Sequence, residues 1–192
     1  FTMNHYRFIT MGVKEAELTK YVANAMLATK ISFINEIAHI CDELNVDVES
    51  VRKGIGADSR IGYSFIYPGV GYGGSCFPKD VKAIINTAKQ AGVEPMMLNA
   101  VEKRNQRQKT IIFDHILDKY GSDLNGKTFA VWGLAFKPGT DDMREAPSVN
   151  VITSLIEAGA RVQAFDPVAN EEAAKKFPKE WISNNKLTFT DD

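Results

Sequence analysis

The feature that most constrains the fold is a run with helical periodicity over residues 15–44. Its apolar side chains leave little of the helix circumference polar. They are Leu18, Tyr21, Val22, Ala25, Met26, Ile31, Phe33, Ile34, Ile37 and Ile40. A helix that is apolar nearly all round is buried on most sides, so the pattern predicts a long helix packed between two subunits of a dimer.

Two polar residues interrupt this apolar run. Lys20 and Asn24 are four residues apart and therefore share one face of the predicted helix. A solvated edge of the helix is one interpretation of the pair. Beside a nucleophile, the same pair would supply a cation and an amide donor that stabilise a developing oxyanion.

A glycine-rich segment with a cysteine is the strongest chemical signal. Residues 69–80 read GVGYGGSCFPKD, and four glycines in six residues let backbone amides approach a ligand closely. Pro78 and the apolar periodicity that follows predict a helix start, where the helix dipole and the Lys79 ammonium favour a thiolate at Cys76. We therefore interpret Cys76 as a nucleophile, with a buried structural thiol as the alternative. Cys41 lies in the apolar helix and is interpreted as structural.

The same glycines match a dinucleotide-binding pattern without its context. Gly69, Gly71 and Gly74 satisfy G-x-G-x-x-G, which requires a β-strand directly before it. The preceding residues 65–68 read FIYP, too short and too proline-broken for a buried parallel strand. We therefore do not interpret this loop as a Rossmann fingerprint.

The second part of the chain has a different pattern. One helix is predicted over residues 95–120, with a solvated, highly charged middle at 102–109 and apolar ends that join two packed bodies. Strands are then predicted at 127–134, 161–166 and 187–190, with helices at 147–158 and 171–177. The first strand is expected to be buried. The fold class is therefore α plus α/β, a helical domain joined by a long helix to part of a doubly wound parallel sheet.

Composition excludes several function classes. The 23 Lys and Arg against 24 Asp and Glu give no electrostatic case for nucleic acid or an anionic membrane surface as a partner. No apolar run reaches about 18 residues, so no membrane span is predicted. The three histidines lack metal-ligand spacing, and we expect no metal site. Two cysteines without a disulfide pattern indicate a reducing compartment, the cytoplasm.

Several motifs together resemble the UDP-glucose 6-dehydrogenase family, within the nucleotide-sugar dehydrogenases. They are AELTKYVANAMLATKISFINEI at 16–37, RIG at 60–62, GYGGSCFPKD at 71–80, GLAFKPGTDDMREAPS at 133–148 and FDP at 165–167. The resemblance implies an N-terminal Rossmann domain for NAD, a helical dimerisation domain like the C-terminal domain of 6-phosphogluconate dehydrogenase, and a Rossmann-like domain for the nucleotide sugar.

The resemblance also implies a division of the chain. Residues 1–13 would be a linker from an NAD domain that this chain lacks, and 14–105 the central dimerisation domain. Residues 95–120 would form the connecting helix, and 125–192 part of the UDP-sugar domain. We accordingly expect the chain by itself to bind a nucleotide sugar and dimerise without reducing NAD.

The reaction implied is a four-electron oxidation of UDP-glucose to UDP-glucuronate through a thiohemiacetal and a thioester, with GDP-mannose or a UDP-N-acetyl-hexosamine as alternative substrates. Catalytic roles carry over to Cys76, Lys20, Asn24 and Asp80, and cofactor-facing roles to Lys79 and Arg144. Arg60 would reach into the site of a partner subunit. The substrate-binding residues implied are Arg60, Phe65, Ile66, Tyr67, Gly69, Tyr72, Gly73, Phe77, Phe136 and Lys137.

Overall fold

The computed structural model describes residues 9–191, so residues 1–8 of the predicted linker lie outside the described part. A helical half is followed by an α/β half. The helical half contains α1 (Val13–Leu44), α2 (Val48–Gly56), α3 (Phe77–Gln90) and α4 (Met96–Gln108). The α/β half contains α5 (Ile111–Tyr120), β1 (Thr128–Trp132), α6 (Pro147–Glu157), β2 (Arg161–Phe165), α7 (Asn170–Ala174), α8 (Lys179–Ser183) and β3 (Leu187–Phe189).

The helical half is organised around α1. Small residues of α1, Ala25 and Ala28, let Val81 and Ile85 of α3 and Val101 of α4 pack closely against it. The start of α2 is capped by Asp47, whose side chain accepts hydrogen bonds from the backbone amides of Glu49 and Ser50.

A second face of α1, beside the packed one, is apolar and exposed in the single chain. Leu18, Val22, Met26, Phe33, Ile40 and Leu44 all lie there with about half or more of their surface accessible. Their spacing of three to four residues or multiples of it places them in one stripe along the helix. We refer to these six residues as the α1 stripe.

The single helix predicted over 95–120 is wrong, because the chain turns at Lys109 and Thr110 and forms two helices. The predicted solvated middle is found only in part, because Lys103, Gln106 and Arg107 are exposed whereas three other side chains of this segment are buried. Asn105 and Lys109 are only 1% and 2% exposed, and Gln108 is also buried. These polar side chains find hydrogen-bond and ion-pair partners in the glycine-rich loop and the α/β half, which makes their burial tolerable.

The α/β half contains a parallel sheet in the order β1-β2-β3, as the alternation of strands and helices predicted. Its core residues include Leu134, Ile152, Leu155, Val162 and Leu187. The expectation that the first strand is buried is wrong, because β1 lies at an edge and its alternate residues are exposed, Trp132 by 85%. Helix α8 was not predicted. Among residues 9–191, no helix is both long and apolar enough to cross a membrane.

Candidate functional site

A cavity of about 550 Å³ lies where the two halves meet. Eight of the ten predicted substrate-binding residues line it, together with Ile31, Asn35, Ser64 and Gly71. The eight are Phe65, Tyr67, Gly69, Tyr72, Gly73, Phe77, Phe136 and Lys137. Aromatic rings, backbone groups and one ammonium therefore surround the same space, a combination suited to a ligand with a base, sugars and phosphates.

The other two predicted substrate-binding residues lie elsewhere. Ile66 is 2% exposed and packs into the interior, whereas its neighbours Phe65 and Tyr67 are exposed, and Ile66 is not among the residues that line the cavity. Arg60 is on the surface, where its guanidinium donates hydrogen bonds to both carboxylate oxygens of Asp58. Within one chain it does not reach the cavity.

The four predicted catalytic residues form one group at the start of α3. Cys76 is exposed and is the residue immediately before the helix. The Asp80 amide donates to the Cys76 carbonyl, 2.8 Å away, so Asp80 lies one helical turn after the thiol. The Asp80 carboxylate accepts hydrogen bonds from Lys20 Nζ at 3.2 Å and Asn24 Nδ2 at 2.6 Å, both from α1. The prediction that Lys20 and Asn24 share a face is therefore confirmed.

Asp80 is the electrostatic centre of this group. Its side chain is fully buried, and a third donor, Lys79 Nζ, lies 2.6 Å from its other oxygen. Burial by itself raises the pKa of a carboxyl, but the hydrogen bonds from Lys79, Asn24 and Lys20 together hold the pKa of Asp80 below its ordinary value. One carboxylate thus faces two ammonium groups, and the net positive charge suits a thiolate and oxyanions nearby.

The predicted cofactor-facing cations line a neighbouring cleft of about 560 Å³. Lys79 and Arg144 share it with Lys82 and Lys176, beside Ser75 next to the thiol. Arg144 donates to both oxygens of Asp142, and this pairing lowers the pKa of Asp142 to about 2. Four cationic side chains and one carboxylate, Glu145, line this cleft, so its net charge is positive and suits an anionic ligand.

Two glycines bring the halves together at the site. A Cβ on Gly73 would lie 2.4 Å from the Glu145 carbonyl oxygen, and one on Gly74 would lie 2.7 Å from the Phe136 ring. The Gly74 amide donates to the Arg144 carbonyl at 2.7 Å, and the buried Lys109 ammonium pairs with Glu145 at 2.8 Å. Only residues without side chains permit this approach, so the glycine-rich loop is a contact between the halves as well as a cavity wall.

The loop that carries Phe136 is held from below by Asp166. One carboxylate oxygen of Asp166 accepts from the amides of Leu134 and Ala135 after β1, and the other accepts from Val168 and Ala169 after β2. Both loops follow the carboxyl ends of parallel strands, where ligands of such sheets bind. The FDP motif therefore has a structural role that places Phe136 and Lys137 at the cavity.

Sequence reasoning missed a set of buried amides that hold the glycine-rich loop. Asn35 of α1 and Asn105 and Gln108 of α4 all hydrogen-bond to backbone atoms of residues 69–72. Asn105 and Gln108 are three residues apart and so share one face of α4. That spacing is visible in the sequence, but within a charged segment it does not distinguish a buried face from a solvated one.

Comparison with known proteins gives a consistent result. The chain matches two models, the UDP-glucose/GDP-mannose dehydrogenase family central domain over residues 14–107 and the UDP binding domain of the same family over 130–192. It is 53% identical to the UDP-glucose 6-dehydrogenase of Pseudomonas aeruginosa, an alignment that covers 100% of this chain and 42% of that protein.

Solved structures give the same picture. A UDP-glucose dehydrogenase from Pyrobaculum islandicum superposes with a TM-score of 0.86 at 40% identity, covering 95% of this chain and 40% of that one. A UDP-D-ManNAc dehydrogenase from Pyrococcus horikoshii superposes with a TM-score of 0.69 at 26% identity, covering 80% of this chain and 36% of that one. The chain spans about two fifths of the length of these relatives.

Proposed function

The chain belongs to the UDP-glucose/GDP-mannose dehydrogenase family, and from this we propose that the full-length protein oxidises UDP-glucose to UDP-glucuronate with NAD in the cytoplasm. The observation that carries the proposal is the exposed thiol of Cys76 beside a buried carboxylate that gathers Lys20 and Asn24. UDP-glucose is favoured because the relatives of that name match at higher identity and TM-score than the ManNAc enzyme.

In this proposal, Cys76 forms and releases the covalent intermediates. Its thiolate adds to the aldehyde carbon of the oxidised sugar and gives a thiohemiacetal, which becomes a thioester when a second hydride leaves. Water then displaces the sulfur and releases the carboxylate. A thioester keeps the half-oxidised sugar on the protein, so the aldehyde is not lost to solvent.

Lys20 and Asn24 act on the oxygen of the same carbon. The ammonium and the amide of α1 both donate hydrogen bonds, and each tetrahedral intermediate has a developing oxyanion that they stabilise. Asp80, ionised at neutral pH because its pKa is lowered, orients the Lys20 ammonium at 3.2 Å. More than half of the Lys20 side chain is exposed, so it remains accessible to a ligand.

The cationic cleft suits NAD. Lys79 and Arg144 would hold the anionic part of the dinucleotide, in a cleft whose four cations balance phosphate charge. NAD, when bound, would accept a hydride from the sixth carbon of the sugar, one hydride per molecule, so each sugar would use two molecules of NAD in turn. Phe65, Tyr67 and Phe136 would enclose the nucleotide sugar in the larger cavity, with Lys137 as a cation for its diphosphate.

A homodimer through α1 is part of the proposal. The α1 stripe extends along a helix of 32 residues, and a second copy of the same helix would cover it with matching apolar side chains. The loop that holds Arg60 lies next to α1, since Lys30 of α1 donates to the Ile61 carbonyl at 2.9 Å. Arg60 is therefore near the proposed interface, consistent with a role in the partner subunit's site.

The test is mass spectrometry of the full-length protein incubated with UDP-glucose and NAD. We expect a sugar adduct on the peptide that contains Cys76, and we expect Cys76→Ser to abolish UDP-glucuronate formation. Cys41→Ala is the matched control, since Cys41 is buried in α1 away from the site. GDP-mannose and a UDP-N-acetyl-hexosamine are assayed in parallel. Full activity of Cys76→Ser, or a preference for another sugar nucleotide, would contradict the proposal.

A further inference from the structure

The backbone groups of the glycine-rich loop fall into two sets. At Gly69 the N–H donates to Asn35 Oδ1 at 2.8 Å, and the carbonyl accepts from Gln108 Nε2 at 2.6 Å. At Tyr72 both groups bind Asn105, the N–H to Oδ1 at 2.8 Å and the carbonyl to Nδ2 at 3.1 Å. By contrast, the N–H groups of Gly71 and Gly73 donate to no acceptor among residues 9–191, although both residues line the cavity.

Asn105 is suited to hold this arrangement. Its amide presents one acceptor and one donor to the same residue, as a neighbouring β-strand would. The side chain is almost completely buried, and Gly71 has a φ of 92° and packs so closely that a Cβ would lie 2.9 Å from Asn105 Oδ1. The contact leaves Asn105 little freedom to turn, so the position of Tyr72 and the orientation of its flanking glycines depend on it.

A second layer of hydrogen bonds holds the amides themselves. Arg104 donates to the Gln108 side chain at 2.5 Å and to the Asn35 carbonyl at 3.1 Å, which links α4 to α1. These hydrogen bonds restrain the amides, because a displaced group would lose its partner away from water. The loop is therefore fixed before a ligand arrives.

We propose that Asn105 is a positioning residue for nucleotide-sugar binding. It occupies both backbone groups of Tyr72, and this leaves the N–H groups of Gly71 and Gly73 directed at the cavity as donors for oxygen atoms of the ligand. This inference rests on the function proposed above and deepens it. Donors fixed in advance bind more tightly than donors that must first be ordered, so loss of the Asn105 amide weakens binding although its side chain does not line the cavity.

The test replaces the amide with an isosteric group whose donor depends on pH. In Asn105→Asp, the ionised carboxyl still accepts from the Tyr72 N–H but repels the Tyr72 carbonyl, whereas the protonated carboxyl donates and accepts as the amide does. The dissociation constant of UDP-glucose is measured by calorimetry on the full-length protein. We expect it to exceed the wild-type value at least about tenfold near pH 8 and to approach it near pH 5.

At each pH, the dissociation constant of the variant is divided by that of wild type, and this ratio isolates the effect of the new carboxyl group. The other charged groups near this site are the same in both proteins. They are Arg104 and Glu102 of α4, Lys109 directly after α4, Glu36 of α1, Lys82 of α3 and Glu145 from the α/β half. Asn99→Asp is the matched control, because it makes the same change on an exposed position of the same helix and should leave the ratio at one. Asn105→Ala should weaken binding at every pH.

The outcomes separate the two proposals. If the folded wild-type protein does not bind UDP-glucose, the proposed function fails and this inference fails with it. If wild type binds but the Asn105→Asp ratio is near one, or raised equally at all pH values, Asn105 does not position the loop and the proposed function stands. Should Asn105→Asp not fold, Asn105→Ala decides, since it loses both hydrogen bonds to Tyr72 and should raise the dissociation constant at every pH, and an unchanged dissociation constant would overturn the inference.

Discussion

Gly73→Ala tests the contact that joins the two halves at the site. The new Cβ would lie 2.4 Å from the Glu145 carbonyl oxygen and 2.8 Å from the Glu145 carbonyl carbon, both well inside the 3.4 Å at which ordinary contact begins. Both neighbours are backbone atoms, so no side-chain rotation relieves the overlap. The loop and the 144–146 segment must move apart, which stretches the hydrogen bond from Gly74 to Arg144 and the ion pair between Lys109 and Glu145.

The expected cost follows from these contacts. Forced separation of a packed contact costs about 2 kcal/mol, and a weakened backbone hydrogen bond adds about 1 kcal/mol. The lower entropy of the unfolded alanine chain returns about 0.7 kcal/mol. The free energy of unfolding should therefore fall by about 2 kcal/mol in total.

Urea unfolding followed by tryptophan fluorescence measures this change, because Trp132 and Trp181 both lie in the α/β half. Gly69→Ala is the control for stability, since nothing lies within 4 Å of a Cβ there and its φ is not positive. If Gly73→Ala and Gly69→Ala unfold at the same urea concentration, the halves do not meet as described.

Two further predictions concern charge and assembly. Arg144 holds the pKa of Asp142 at about 2, below its unfolded value of 3.8, so this pair contributes stability above about pH 4 that is lost as the pH falls towards 2. Between about pH 4 and pH 2, the free energy of unfolding should therefore fall less in Asp142→Asn than in wild type. If both proteins lose the same free energy of unfolding over this range, the argument is refuted. Phe33→Glu places a charge in the α1 stripe and should convert the dimer to a monomer, as measured by size exclusion with light scattering. Asp42→Lys, on the face of α1 opposite the stripe, is the control and should leave the mass unchanged. An unchanged mass for Phe33→Glu would place the interface elsewhere.

Local chemistry explains where the sequence-based predictions succeeded. Cys76 directly precedes α3, and Lys20 and Asn24 share one face of α1 because four residues separate them on the helix. The parallel order of β1 to β3 also follows from the alternation of strands and helices. Each of these depends on residues within a few positions of one another or on a general rule of chain connection.

Other features depend on residues far apart in the chain. The charged segment 102–109 looks solvated in sequence, yet Asn105 bonds Tyr72 33 residues earlier, and Lys109 pairs with Glu145 36 residues later. No local pattern distinguishes a polar side chain that will meet such a partner from one that will meet water. The burial of Ile66 and the exposure of β1 likewise depend on which residues of the folded chain pack against them.

The amino-acid sequence by itself determined most of the helices, the three strands, the helix start beside Cys76 and the residue types of the site. Only the tertiary structure decided which polar groups are buried, where the helix breaks at Lys109 and Thr110, and which amides of the glycine-rich loop remain free. The physical reason is that periodicity and capping act within a few residues, whereas the cost of burying a polar group depends on partners that only the folded chain brings close.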